Sequence, residues 1–246
     1  MQLFSHYFPE NYSDDHYTYD KRIGWHAFFV SAAMVVGLWL IKLIEFEYKL
    51  DFSVYGILPR EVSHLNGILF SPLIHGSFGH LAANSLPLFV LSFSLFFFYR
   101  NSSYTIFLLI YLFSGLFVWI GGREALHIGA SGIIYGLAAF LFLSGVLSRN
   151  TGLLTISLIV AFLYGSLFWG IFPLKPEISW ESHLWGGVSG FALAWLFRSK
   201  APVQQAMEEE EADDPDDAEW KTGISEEDSE IETGHDYDRI DPVGGG

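Results

Sequence analysis

Three short segments combine residues able to do chemistry with glycines that let them approach one another. The first is His75-Gly-Ser-Phe-Gly-His80-Leu-Ala-Ala-Asn84. His80 and Asn84 are four residues apart, so a helix places them on one face, one turn from each other. Both side chains donate hydrogen bonds, and two donors on one face suit a developing oxyanion. They equally suit a polar patch bonded to a neighbouring helix. Pro87, three residues on, is expected to loosen the helix at that turn.

The second segment is Gly129-Ala-Ser131-Gly132-Ile-Ile-Tyr135-Gly136. Small residues flank Ser131 and leave its hydroxyl accessible. In a first helical turn its N–H has no intrahelical acceptor and can face an anion. The bland reading is a packing or capping feature. The third segment is Ser182-His183-Leu-Trp-Gly186-Gly187-Val-Ser-Gly190. Gly186 and Gly190 form a G-x-x-x-G strip along which a second helix packs closely. A serine and a histidine on different helices must come within about 3 Å to share a proton, and such a strip permits that approach. The bland reading here is a packing motif with an incidental histidine. Together the segments offer a nucleophile, a base and two donors, and Tyr135, one turn from Ser131, is placed to lie against the His183 imidazole. Glu181 is expected in the preceding loop, which leaves a dyad rather than a triad.

The elements that must position these groups are membrane helices. A bilayer core about 30 Å thick needs roughly 20 apolar residues in a helix. Stretches near 26–46, 79–99, 104–122, 130–147, 152–172 and 183–197 approach that length. The fourth and sixth are short and hold the candidate catalytic residues; polar groups in spans are costly, so function is the default suspicion there. Basic residues lean modestly to the side of Lys21, Arg22, Arg100, Arg149, Arg198 and Lys200, against Lys49, Arg60, Arg123 and Lys175, which favours both termini in the cytoplasm. Lys42, near the end of the first span, blurs that count. The long link 47–78 is rich in apolar residues and is expected to lie partly in the interface, with Arg60 and Glu61 facing water; a folded surface loop is the alternative. Segment 173–182 is expected to cap a cavity open to the outer face.

At these residues the sequence resembles the rhomboid family of intramembrane serine proteases. Gly129–Gly132 reads as the family's Gly-x-Ser-Gly, His183 with Gly186 and Gly190 as its His-Gly-Gly spacing, and His80 with Asn84 as its His-x-x-x-Asn. His75 falls where a rhomboid often has histidine, and Tyr135 matches the tyrosine that packs on the catalytic histidine. The resemblance spans about His75 to Trp195. It implies an all-α, six-transmembrane-helix bundle with a long interfacial first loop. It further implies a Ser131–His183 dyad with His80, Asn84 and the Ser131 N–H as oxyanion hole, and transmembrane protein substrates met within the lipid bilayer. Movement of the fifth span as a substrate gate comes from the family alone. One departure is evident: the Trp-Arg pair frequent in the family's first loop does not occur between 47 and 78, where Pro59-Arg60 comes nearest.

Two rivals stand beside this reading: a metallohydrolase with His75, His80, His127 and His183 around zinc, and a non-catalytic membrane chaperone or adaptor. Cysteine is absent from the 246 residues, which excludes a thiol nucleophile and disulfides. No cofactor, metal or nucleic-acid partner is expected. The net charge of −15 belongs to the tail: residues 201–246 hold 17 of the 28 acidic residues and only Lys221 and Arg239 as bases. The chain therefore divides into an N-terminal cytoplasmic segment 1–24, a membrane domain 25–199 and an acidic, disordered tail 200–246. The tail is either an arm for a cytoplasmic partner or a solvated extension, and deleting 203–246 separates these by its effect on localisation and turnover. Residues 1–24 lack the basic start and short apolar core of a cleavable signal, so insertion is expected to rely on the first span. The expected location is a bacterial inner membrane.

Overall fold

The computed structural model describes residues 14–149, 151–163, 172 and 179–198. Expectations for the first 13 residues, for 173–178, for most of 164–172 and for the acidic tail lie outside these. Among the described residues the regular elements are helical: α1 (Asp14–Glu47), α2 (Gly67–Phe70), α3 (Phe78–Phe98), α4 (Ser103–Gly121), α5 (Ser131–Leu147), α6 (Thr151–Leu163) and α7 (Trp180–Leu196). Three of them are long and apolar enough to cross a membrane, over Lys21–Glu47, Phe78–Phe98 and Ser103–Gly121.

Helix α1 begins at Asp14, inside the segment read above as a non-membrane N-terminus. Its apolar side chains, among them Phe29, Val36, Leu40 and Phe46, stay largely exposed. That pattern suits a peripheral helix facing lipid. It packs mainly on α3, where Trp39 Nε1 donates to Ser85 Oγ at 3.0 Å. Lys42 is neutralised within its own helix by Glu45 at 2.6 Å, both side chains nearly buried. Glu45 also accepts the Phe52 N–H at 3.1 Å, so the pair ties the end of α1 to the segment that follows.

That segment is a run of short helical turns at Phe52–Tyr55, Val62–His64, α2 and Ser71–Leu73. It is pinned to the chain around α4 at several points. The Arg60 N–H donates to Trp119 O at 2.9 Å, Arg60 Nη1 to Gly122 O at 2.8 Å, and Trp119 Nε1 to Glu61 O at 3.0 Å. Ile57 and His127 exchange two backbone hydrogen bonds, 2.9 and 3.0 Å long. The segment therefore grips the loop that leads into α5.

Helix α5 is the axis of the molecule: 11 of its 17 residues are buried. Leu137, Phe140 and Leu141 meet Leu91 and Leu95 of α3 and Ile106 and Ile110 of α4 in one core. Its most extensive partner is α7, and the approach is backbone to backbone. A Cβ on Gly186 would lie 2.9 Å from the Gly132 carbonyl carbon, and one on Gly190 equally close to that of Gly136. Such distances exclude any side chain. Helix α3 continues through Pro87, which lacks the N–H for a bond back to the preceding turn.

Gly186→Leu forces α5 and α7 apart. We expect it to cost about 3 kcal/mol or more, since overpacking here meets backbone rather than a side chain able to move. Thermal melts in detergent measure this against Gly187→Ala, where nothing lies within 4 Å of an added Cβ and little change is expected.

Candidate active site

The helices α3, α5 and α7 bring their first turns together. Ser77 caps α3, its hydroxyl accepting the His80 N–H at 3.1 Å, which places His80 in the opening turn and Asn84 one turn on. Gly129 holds φ +107°, a left-handed conformation that favours glycine. A Cβ there would stand 2.7 Å from His80 Cε1 and 3.8 Å from Asn84 Nδ2. The loop before Ser131 is therefore laid directly against His80 and Asn84.

Ser131 is the first residue of α5, and the first helical hydrogen bond runs from the Ile134 N–H to Ala130 O. The Ser131, Gly132 and Ile133 N–H groups precede it and have no intrahelical acceptor. On the α7 side, Ser182 O would lie 3.2 Å from a Cβ on Gly132. One residue further, His183 stacks on Tyr135 with ring centroids 4.1 Å apart and planes 6° from parallel. Ser131, Tyr135 and His183 are each 8% exposed: nearly enclosed, yet not sealed.

His75 joins Asn84 to the loop before Ser131. Its Nε2 lies 3.1 Å from Asn84 Nδ2 and 3.4 Å from the Ala130 N–H. A backbone N–H can only donate, so Nε2 is the bare acceptor and Nδ1 carries the proton. That tautomer turns the Asn84 amide so that Nδ2 faces His75, leaving its second N–H to point elsewhere. Burial, reinforced by the neighbouring His80 and only partly offset by the Leu73 carbonyl, pulls the His75 pKa down to about 4.

A chain belongs to a family when most of its length carries that family's pattern. A protein-family model described as the rhomboid domain matches residues 62–200, more than half of the sequence. The chain belongs to the rhomboid family. Uncharacterized proteins of Mycobacterium tuberculosis and Mycobacterium bovis are each 34% identical to this rhomboid over 178 residues, covering 69% of its chain and 73% of theirs. An uncharacterized protein of Mycobacterium leprae is 31% identical over 187 residues, covering 72% and 74%. Family and apolar helices together make this rhomboid an integral membrane protein.

One rival reading and one expectation meet the structure differently from the rest. Among the described residues no three His, Asp or Glu side chains gather as metal ligands, so the four histidines of the zinc reading do not form one set. His127 is instead engaged by Ser179 at 2.5 Å and by the Arg123 carbonyl at 3.1 Å. Glu181 is not in a loop: it sits in the first turn of α7, 2% exposed, with Arg123 Nε 3.4 Å from its carboxylate. Nothing local in the sequence marks that contact; the only signal was that Arg123 and Glu181 share one side of the membrane pattern. The segment expected to cap the cavity accordingly overlaps α7 from Trp180 onward.

His75 is neutral when folded and titrates near 6.5 when unfolded, so the unfolded chain binds the extra proton between those values. Stability therefore falls as pH drops from about 6.5 towards 4, by up to about 3 kcal/mol from this residue. Burial also lowers the His127 pKa and acts with the same sign. Melting temperatures across this range are expected to fall in the wild type and to fall less in His75→Gln.

Proposed function

We propose that this rhomboid is an intramembrane serine endopeptidase that cleaves transmembrane segments of membrane-protein substrates. What carries the reading is the parallel stack of Tyr135 on His183, across the glycine contact of α5 with α7 and one turn from Ser131. The stack fixes the imidazole plane, and the glycine register keeps base and nucleophile on facing first turns.

In this reading His183 takes the Ser131 proton as the hydroxyl attacks the scissile carbonyl. The oxyanion is then held by His80, Asn84 and the Ser131 N–H, at converging helix N-termini whose dipoles favour negative charge. His183 next protonates the leaving amine, and water hydrolyses the acyl-enzyme by the same route. Six spans, an interfacial first loop, a bacterial inner membrane and two cytoplasmic termini complete the proposal. Direct labelling separates this reading from that of a non-catalytic adaptor. Purified protein is expected to react with a fluorophosphonate. Ser131→Ala should abolish labelling and His183→Ala slow it by about 10²–10⁴-fold; labelling that survives Ser131→Ala refutes the assignment.

A helical peptide shields its carbonyls, so the substrate must unwind locally. Segments with a Gly or Pro pair at the outer end should be cut about tenfold or more faster than all-Leu versions, given the helix cost of those residues. Mass-spectrometric mapping of the products compares them, and equal rates count against the model of entry.

A further inference from the structure

Glu181 is a buried carboxylate whose oxygens accept no hydrogen bond. Its cationic neighbour is Arg123, with Nε at 3.4 Å and its own side chain partly exposed. Replacing such a pair by apolar residues is often neutral or stabilising, so stability alone is a weak account of it. What an ion pair supplies is register, because it is satisfied in one alignment of two elements. The two elements here are the loop leading to Ser131 and the first turn of α7.

A second set of contacts crosses the same junction. The Arg123 carbonyl can only accept, so His127 Nε2 bears the hydrogen and Nδ1 is the acceptor. The Ser179 hydroxyl then donates to His127 Nδ1 at 2.5 Å, and the Ser182 hydroxyl donates to Ser179 Oγ at 2.6 Å. Two links, Arg123–Glu181 and His127–Ser179, join the segment that leads into Ser131 to the segment that leads into His183, and the other two brace each side. Glu181 precedes His183 by two residues, about 200° around the helix. It therefore points away from the imidazole and acts through the helix, not as the third member of a triad.

We propose that the Arg123–Glu181 ion pair is a positioning device that sets the α7 first turn, and with it His183, against Ser131; the proposal rests on the protease reading above. Arg123 and Glu181 are positioning residues, and neither touches the reacting atoms.

The test is the rate of fluorophosphonate labelling of the full-length protein in detergent, resolved into the saturating rate and the half-saturating probe concentration. Thermal melts report the folded fraction. Per folded molecule, Glu181→Gln is expected to lower the saturating rate by about ten- to hundredfold, the scale of small misplacements of a reacting group. The half-saturating concentration should stay within about twofold, because probe binding does not use the pair. Arg123→Gln should behave alike and Arg123→Lys, which keeps the charge, should recover most of the rate. Should Glu181→Gln fail to fold, the Arg123 variants, altered at a partly exposed side chain, decide the matter alone. A lowered melting temperature with an unchanged rate per folded molecule would mean a purely structural pair and overturns the proposal. Equal rates for Arg123→Lys and Arg123→Gln overturn it as well. A wild type that does not label overturns the protease reading and this inference together, whereas a labelling wild type with unaffected variants overturns only the latter.

Discussion

Backbone meets backbone between α5 and α7 because four glycines, Gly132, Gly136, Gly186 and Gly190, face one another there. In lipid no hydrophobic force drives helices together, so close van der Waals contact must do that work. Here the same contact sets the distance between two chemical groups. The glycines keep a constant offset of 54 positions between the helices, so the two run parallel and both first turns lie at one end. Tyr135 and His183 meet within that register. An added methyl group anywhere along the strip would alter packing and site at once.

The remaining architecture serves to hold polar groups where lipid would otherwise leave them unsatisfied. A buried donor or acceptor without a partner is costly, and several polar side chains here are paired across the fold. Lys42 has Glu45, Trp39 has Ser85, and His75 takes both Asn84 and the Ala130 N–H. The turns between α1 and α3 make the longest reach. They clamp the loop before Ser131 through Ile57 and His127 and lean on α4 through Arg60 and Trp119. The position of Gly129 against His80 thus depends on residues far from it in the chain.

How much of this was legible in the sequence follows from the range of each signal. Hydropathy is local, and it placed the spans near 79–99, 104–122 and 130–147 within a residue of α3, α4 and α5. Spacing is local too, so the shared face of His80 and Asn84 and the nearness of Tyr135 to Ser131 could be read directly. The start of α1 could not, because Asp14 to Gly24 is polar and aromatic and carries no span signal. Nor could the junction of Arg123 with Glu181. It joins residues 58 apart, and a glutamate beside a loop reads as solvated until the fold buries it. The contact of Arg60 with Trp119 is hidden for the same reason, since it joins residues 59 apart.

These two kinds of signal divide the site in a physically sensible way. The proposed reacting groups lie in first turns or, for Asn84, one turn on, where short motifs and helix starts can be read. Groups that only hold those turns in register are free to come from anywhere, provided charge and shape match. Three helix N-termini aimed at one point would repel each other's dipoles without a compensating anion. The arrangement is therefore most favourable when negative charge arrives between them, as it does in an acyl-transfer oxyanion.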